Sequence, residues 1–257
     1  MRLIRLASGI VILVLTSTFS INAYSQERTS SIEIRGNAGA VSDYVFRGIS
    51  QSDESVVAQG GLDVILPKGF YAGAWASGVD TPWGGIYNQQ AGPEDFEYDL
   101  YAGWQWGHDS GKFRLDTGVI QYAFSDDPDD LTWSEYYVGA TFFKRLRVKA
   151  SLQLDGLEFG DYYEASYRQP LANSFDATAH IGYFDVEERS VRDIDQYADY
   201  SVGVGRAYKG FRVDITYHRT DRDGRARYLD VADDRLVLSI KRDFELFPNF
   251  RAFDFAN

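Results

Sequence analysis

The segment 95-DFEYDLYAGWQWG-107 sorts by parity. Its even positions are Phe96, Tyr98, Leu100, Ala102, Trp104 and Trp106. Its odd positions are Asp95, Glu97, Asp99, Tyr101, Gly103 and Gln105. A strand sends alternate side chains to opposite faces, so this stretch has one apolar face and one polar or small face. A helix would scatter the three carboxylates around its axis. The segment reads as a strand.

The same alternation recurs along the chain. In 146-LRVKASLQLD-155, Leu146, Val148, Ala150, Leu152 and Leu154 oppose Arg147, Lys149, Ser151, Gln153 and Asp155. In 211-FRVDITYHRT-220, Phe211, Val213, Ile215 and Tyr217 oppose Arg212, Asp214, Thr216 and His218. In 235-RLVLSIKRDF-244, Leu236, Leu238, Ile240 and Phe244 oppose Arg235, Ser239 and Lys241. Weaker versions over 31–47, 56–66, 70–79, 112–123, 133–143, 161–169, 174–184 and 197–208 bring the count to about twelve strands of roughly ten residues, the length that crosses a bilayer at a tilt.

The connections alternate too. Short turns (67–69, 108–111, 144–145, 170–174, 209–210) follow the even-numbered strands. Longer polar loops (48–55, 80–94, 124–131, 156–160, 185–196, 221–233) follow the odd-numbered ones. An even strand count with short turns on one rim and long loops on the other is the layout of a bacterial outer-membrane barrel. It leaves both termini on the short-turn, periplasmic rim. A soluble β-sandwich alternates as well, but here the polar phase is rich in Gly, Ser, Thr and Tyr, as in a crowded lumen. Aromatics also gather near strand ends, as in the girdles of membrane barrels. The expected fold is therefore all-β, a transmembrane up-and-down antiparallel barrel that leaves no edge unpaired in lipid.

The start of the chain fits export. Arg2 and Arg5 precede an apolar run from Leu6 to Phe19, and Ala23-Tyr24-Ser25 suits signal peptidase; residues 1–25 read as a signal peptide. Residues 26–244 then form the barrel, and 245–257 a C-terminal extension beyond the aromatic Phe244. With no cysteine, neither disulfides nor thiolate sites exist. A net charge of −12 with no basic run excludes a nucleic-acid footprint. Expected partners are outer-membrane lipid and lipopolysaccharide, the barrel-assembly machinery during biogenesis, and small solutes.

Within the first strand, 42-SDYVFRGISQS-52 continues the alternation and places Asp43 and Arg47 on the lumen phase, where they are expected to pair near the outer mouth. From Val41 to Ser52, with 59-QGGLD-63 and 69-GFYAG-73, the chain resembles the TorF-type porin family of bacteria. The resemblance is most specific over residues 33–80, and it implies an outer-membrane barrel with a pore role.

The expected pore-lining residues are Glu33, Arg35, Asp43, Arg47, Asp63, Glu97, Asp99, Arg114, Asp116, Glu135, Arg147, Lys149, Arg168, Asp176, His180, Arg212, Asp214, His218, Arg235 and Lys241. Charged rings of this kind set which solutes pass. Acids and bases nearly balance on the strands, while acidic loops such as 125-SDDPDD-130 concentrate cations.

Passive diffusion of small hydrophilic solutes or ions through a narrow charged lumen is the expected function. Twelve strands fall between barrels filled by side chains and barrels that hold a channel, so a plugged structural or adhesive barrel acting through external loops is the alternative. An outer-membrane enzyme is the third class. Of three histidines, His108 sits in a turn, and His180 and His218 lie on the lumen phase with no lipid-facing serine beside them, whereas nucleophilic catalysis needs its base within hydrogen-bond reach. No catalytic residue, cofactor or metal site is expected; 221-DRDG-224 lacks an EF-hand ligand at Arg219.

Overall fold

A computed structural model describes residues 32–80, 96–107, 112–125, 132–156, 160–185 and 196–250, the side chains of 156 and 248–250 excepted. The signal-peptide segment, His108, most of loops 80–94, 124–131, 156–160 and 185–196, and residues beyond 250 lie outside them. The strands are β1 (Ile32–Val41), β2 (Val45–Phe46), β3 (Ile49–Ser50), β4 (Val57–Ile65), β5 (Phe70–Gly78), β6 (Phe96–Gly107) and β7 (Phe113–Phe124). Then follow β8 (Trp133–Phe142), β9 (Leu146–Gly156), β10 (Asp161–Pro170), β11 (Phe175–Asp185), β12 (Gln196–Tyr208), β13 (Phe211–Thr220) and β14 (Arg235–Phe250). All except β2 and β3 form one closed antiparallel barrel of twelve strands, sealed where β1 pairs with both β4 and β14. The two short strands form a separate hairpin.

Two of the tight turns show why the chain reverses where it does. Phe143-Lys144 and Lys209-Gly210 have positive φ at both positions (54° and 58°, 52° and 81°). That twist matches the twist of the flanking strands.

The apolar phase faces outward. Leu100, Val138, Val202, Ile215, Leu238 and Ile240 are exposed in mid-barrel. Toward the short-turn rim the outward residues become Phe70, Trp106, Phe175, Tyr208, Phe211 and Phe244; toward the loop rim they become Tyr98, Tyr136, Tyr163, Tyr183, Tyr200 and Tyr217. Arg206 lies over Phe175 (4.9 Å), and Arg242 over Phe211 (5.1 Å) and Phe244 (5.6 Å). An aliphatic belt between two aromatic girdles reverses the polarity of a soluble barrel and is the pattern of a wall facing lipid.

The structure departs from the sequence-based boundaries at both ends of the barrel. β1 stops at Val41 rather than running to residue 47, and residues 42–52 turn inward. β14 does not end at Phe244 but continues to Phe250, so the expected extension at 245 begins inside a strand. Its pairing with β1 is irregular between Ile32 and Arg35, opposite residues 245–250. Pro248 falls in this irregular part, where a residue without an N–H costs no regular ladder bond.

Candidate functional site

The inner face divides into two halves. Toward the short-turn rim, Glu33, Arg35, Asp63, Arg114, Asp116, Arg147, Lys149, Arg168, Asp176, Arg212, Asp214 and Lys241 are inward-facing and half-buried. They make a vestibule wall stitched by short contacts. Arg35 pairs with Glu33 (2.5 Å), and Arg212 with Asp176 (2.8 Å) and Asp214 (2.5 Å), while Arg168 reaches Asp176 at 3.1 Å. Tyr101 donates to Asp63 (2.5 Å) and Tyr71 to Asp116 (2.6 Å); the Tyr71 and Tyr137 hydroxyls bond to each other.

Toward the loop rim the lumen is packed. Residues 42–52 of the 42–56 insert, which carries β2 and β3, fold into it, with Tyr44, Ile49, Ser50, Gln51 and Ser52 buried, while residues 53–56 are exposed and lead back to β4. Ile49 and Tyr44 join an apolar cluster with Tyr122, Phe124, Trp133, Tyr162, Phe184 and Tyr197 from the wall. Glu97, Asp99, Glu135, His180, His218 and Arg235 are on the wall too, but each is at most 7% exposed. Their side chains are covered, unlike the half-buried ones toward the short-turn rim. Asp43 and Arg47 are not wall residues at all, since they ride on the insert.

Nor do Asp43 and Arg47 pair with each other. Arg47 Nη2 donates to both Glu135 oxygens, at 2.6 and 2.7 Å, on strand β8. Asp43 accepts from Arg235 Nη1 at 2.6 Å on β14. The guanidinium of Arg47 also lies over the rings of Phe46 (4.8 Å), Tyr162 (4.6 Å) and Phe184 (5.1 Å). Burial is the largest single influence and opposes its charge, yet Glu135, Tyr122 and Tyr162 together outweigh it and raise the guanidinium pKa above its ordinary value. Glu135 accepts further bonds from Trp133 (3.2 Å) and Tyr122 (3.4 Å), and Tyr197 donates to the Arg47 carbonyl at 2.9 Å. Two charge-assisted clamps, reaching strands on different sides of the insert, thus hold it in place.

The insert needs an unusual backbone to reach both clamps. Arg47 has φ 49° and Gly48 φ 80°. A Cβ on Gly48 would lie 2.5 Å from the Asp199 Cβ and 2.9 Å from Thr220 Cγ2, so glycine serves both the left-handed turn and the close approach to the wall. Within the insert, Asp43 also accepts from Ser50 (2.5 Å) and Ser52 (3.1 Å), and the Tyr44 amide donates to Ser52 Oγ (2.9 Å). These serines had no signal in the alternation. Gly48 is legible as a turn signal, but in the alternation it reads as the start of a loop after a strand running to Arg47.

The long connection after β13 also folds inward. Asp221 caps helix α1 (Arg222–Tyr228), accepting from the Gly224 amide at 2.9 Å. The acidic residue that opens the Asp-x-Asp-Gly motif is therefore a helix cap. Tyr228 packs on Tyr197 at 5.4 Å, and Thr220 donates to the Ala232 carbonyl at 2.7 Å. His180 takes a partner other than Asp176, the acid four residues before it. His180 Nε2 meets Asp199 of β12 at 2.5 Å and the Tyr162 hydroxyl at 3.2 Å, while Asp176 and Asp214 are held by Arg212.

No curated protein matches this chain by sequence. Among solved structures, the KdgM porin shares the fold with a TM-score of 0.52 at 9% identity, covering 83% of this chain and 99% of that one. The KdgM porin in complex with disordered oligogalacturonate gives 0.53 at 8% identity, with 83% and 99% covered. The NanC porin gives 0.47 at 11%, with 83% and 100% covered. At such identities the likeness to the KdgM structures is one of fold alone, a β-barrel. Residues 25–244 match the profile of a family described as a bacterial protein of unknown function (Gcw_chp), and the chain belongs to that family.

Proposed function

We propose that this chain is an outer-membrane porin for small hydrophilic solutes or ions, whose lumen is gated by its own residues 42–56. In this reading the chain is exported after cleavage near residue 25 and inserted by the barrel-assembly machinery. Lipid and lipopolysaccharide surround its apolar belt, and the short-turn rim and both termini face the periplasm. The observation that carries the gate is the insert itself. It closes the outer half of the lumen but belongs to no barrel strand, and its two clamps are ion pairs. Buried ion pairs are a weaker source of permanent stability than apolar packing of the same volume; they suit an element that has two positions. The TorF-type resemblance and the KdgM fold support the pore role, and the KdgM complex is an instance of this fold with a hydrophilic acidic carbohydrate.

A permanently plugged structural barrel is the second reading, favoured by how completely the outer half is sealed. An enzyme has less support. His180 and His218 face inward and are buried beneath the insert, away from any lipid substrate.

Current through a planar bilayer holding the detergent-folded protein tests the gate. Brief, infrequent steps are expected from the native chain. A folded, heat-modifiable protein that is silent both as the native chain and with the insert excised would remove the pore reading. Location has its own test. Ile215→Lys, in the middle of the outer belt, is expected to cost about 2–4 kcal/mol of stability in lipid vesicles, measured by denaturant unfolding; a neutral effect would mean that this face does not meet lipid.

A further inference from the structure

Following the hydrogen-bonded register around the barrel isolates one row of inward-facing residues. Arg114 of β7 pairs with Thr141 of β8, Thr141 with Arg147 of β9, and Arg147 with Ser166 of β10. Ser166 pairs with His180 of β11, His180 with Ser201 of β12, Ser201 with His218 of β13, and His218 with Arg235 of β14. Eight consecutive strands contribute arginines, hydroxyls and imidazoles to this row, and none contributes a carboxylate. The adjoining row on the short-turn side, Arg168, Thr178, Gly203, Thr216 and Val237, has none either.

The row is also a path. Arg114 lies beside the short-turn end of β7, and Arg235 is the first residue of β14 at the loop rim. Burial follows the same direction. Arg114, Thr141 and Arg147 are half-buried in the vestibule, whereas Ser166, His180, Ser201, His218 and Arg235 are covered. Acids in the flanking rows are largely engaged: Asp116 by Tyr71, Asp199 by Tyr162 and His180, Asp176 and Asp214 by Arg212. Glu164 lies across from Lys149 in the next row. Among the described residues, Arg147 has no ion pair and no side-chain hydrogen bond.

The far end of the row already holds a carboxylate. Asp43 of the insert sits on Arg235 at 2.6 Å, so in the closed state the chain supplies its own anion there. At the near end, Arg114 and Arg147 flank Thr141 with strand spacings of about 4.8 Å. Two guanidinium groups and a hydroxyl in one inward-facing row on three neighbouring strands are a fitting receptor for a carboxylate, which arginine binds through paired N–H groups.

We infer that this row is a carboxylate-binding track, with a vestibule subsite at Arg114, Thr141 and Arg147 for small solutes bearing carboxylates. Onward passage toward Arg235 rests on the gated-pore reading; binding in the vestibule does not. It also directs the lumen toward anions, opposite to the bias of the acidic loops.

The test is a calorimetric titration of the detergent-folded native protein with citrate, with glucose as the neutral control. Saturable citrate binding and no glucose binding are expected. Arg147→Gln is expected to weaken citrate binding at least tenfold, and Arg147→Lys to fall between the two. If Arg147→Gln fails to regain heat-modifiable migration, Thr141→Val reads the same subsite, with weaker citrate binding expected. Absence of citrate binding by the folded native protein, or binding unchanged in the variants, overturns the track. Citrate binding by a protein that stays silent in bilayers with its insert excised keeps the subsite and removes the pore.

Discussion

Replacing residues 42–56 with an Asn-Gly turn is expected to give a folded barrel with long-lived current steps in place of brief openings. The reason lies in the register. Val41 and Val57 are direct partners across β1 and β4, so the fifteen residues between them (57 − 41 − 1) leave from and return to neighbouring points on one rim. A two-residue type I′ turn spans such a gap and favours Asn-Gly. Closure of the barrel does not depend on the insert, because β1 pairs along its length with β4 on one side and β14 on the other. Excision removes the buried side chains of Tyr44, Val45 and Ile49, each worth about 1.5–3 kcal/mol of burial, so some resistance to denaturant should be lost. It also exposes Glu97, Asp99, Glu135 and His180 to water. Helix α1 stays at the mouth, so the opening should be narrow. Loss of heat-modifiable migration would mean that the insert is part of the folding core; a folded but silent variant would remove the pore reading.

How far the sequence determined this picture depends on the kind of information each feature carries. Strand faces were legible because alternation is a local property. Leu236, Leu238 and Ile240 point outward while Ser239 and Lys241 point inward, as their parity requires. The insert was not legible, because 42-SDYVFR-47 keeps the alternation of the strand before it. Parity records the direction of side chains and not whether a hydrogen-bonded ladder continues. Asp43 and Arg47 looked like a local pair, four residues apart, yet their partners lie 192 and 88 residues away. No spacing rule reaches that far. The end of β14 failed for a related reason. The expected boundary rests on the aromatic Phe244, and an aromatic side chain does not stop a ladder; Pro248 further on is tolerated because the pairing there is already irregular. The acid-free row, likewise, can be read only once the register of eight strands is known.

Arg47→Ala is expected to open the same gate by removing one side chain. The substitution leaves Glu135 buried with its Trp133 and Tyr122 donors but without a cation, and Glu97 and Asp99 stand buried two strands away on β6. Breaking a buried ion pair from one side costs about 3–5 kcal/mol. If that cost falls on the seated state of the insert, the closed-to-open ratio drops by roughly two to three and a half powers of ten, at 1.4 kcal/mol per factor of ten. Both arginine and alanine carry a Cβ, so the positive φ at this position is no more strained in the variant. The barrel ladder is untouched, and its heat-modifiable migration should persist. The double variant Arg47→Ala with Glu135→Gln removes the orphaned charge as well and should recover part of the closure; with Glu135→Gln alone completing the cycle, the departure of the double variant from the sum of the two single ones measures the coupling. Matching open fractions for the native chain and Arg47→Ala would show that the ion pair does not hold the insert. A large rise in Arg47→Ala that Glu135→Gln leaves unchanged would assign the effect to lost packing of the guanidinium on Tyr162 and Phe184 instead of to charge.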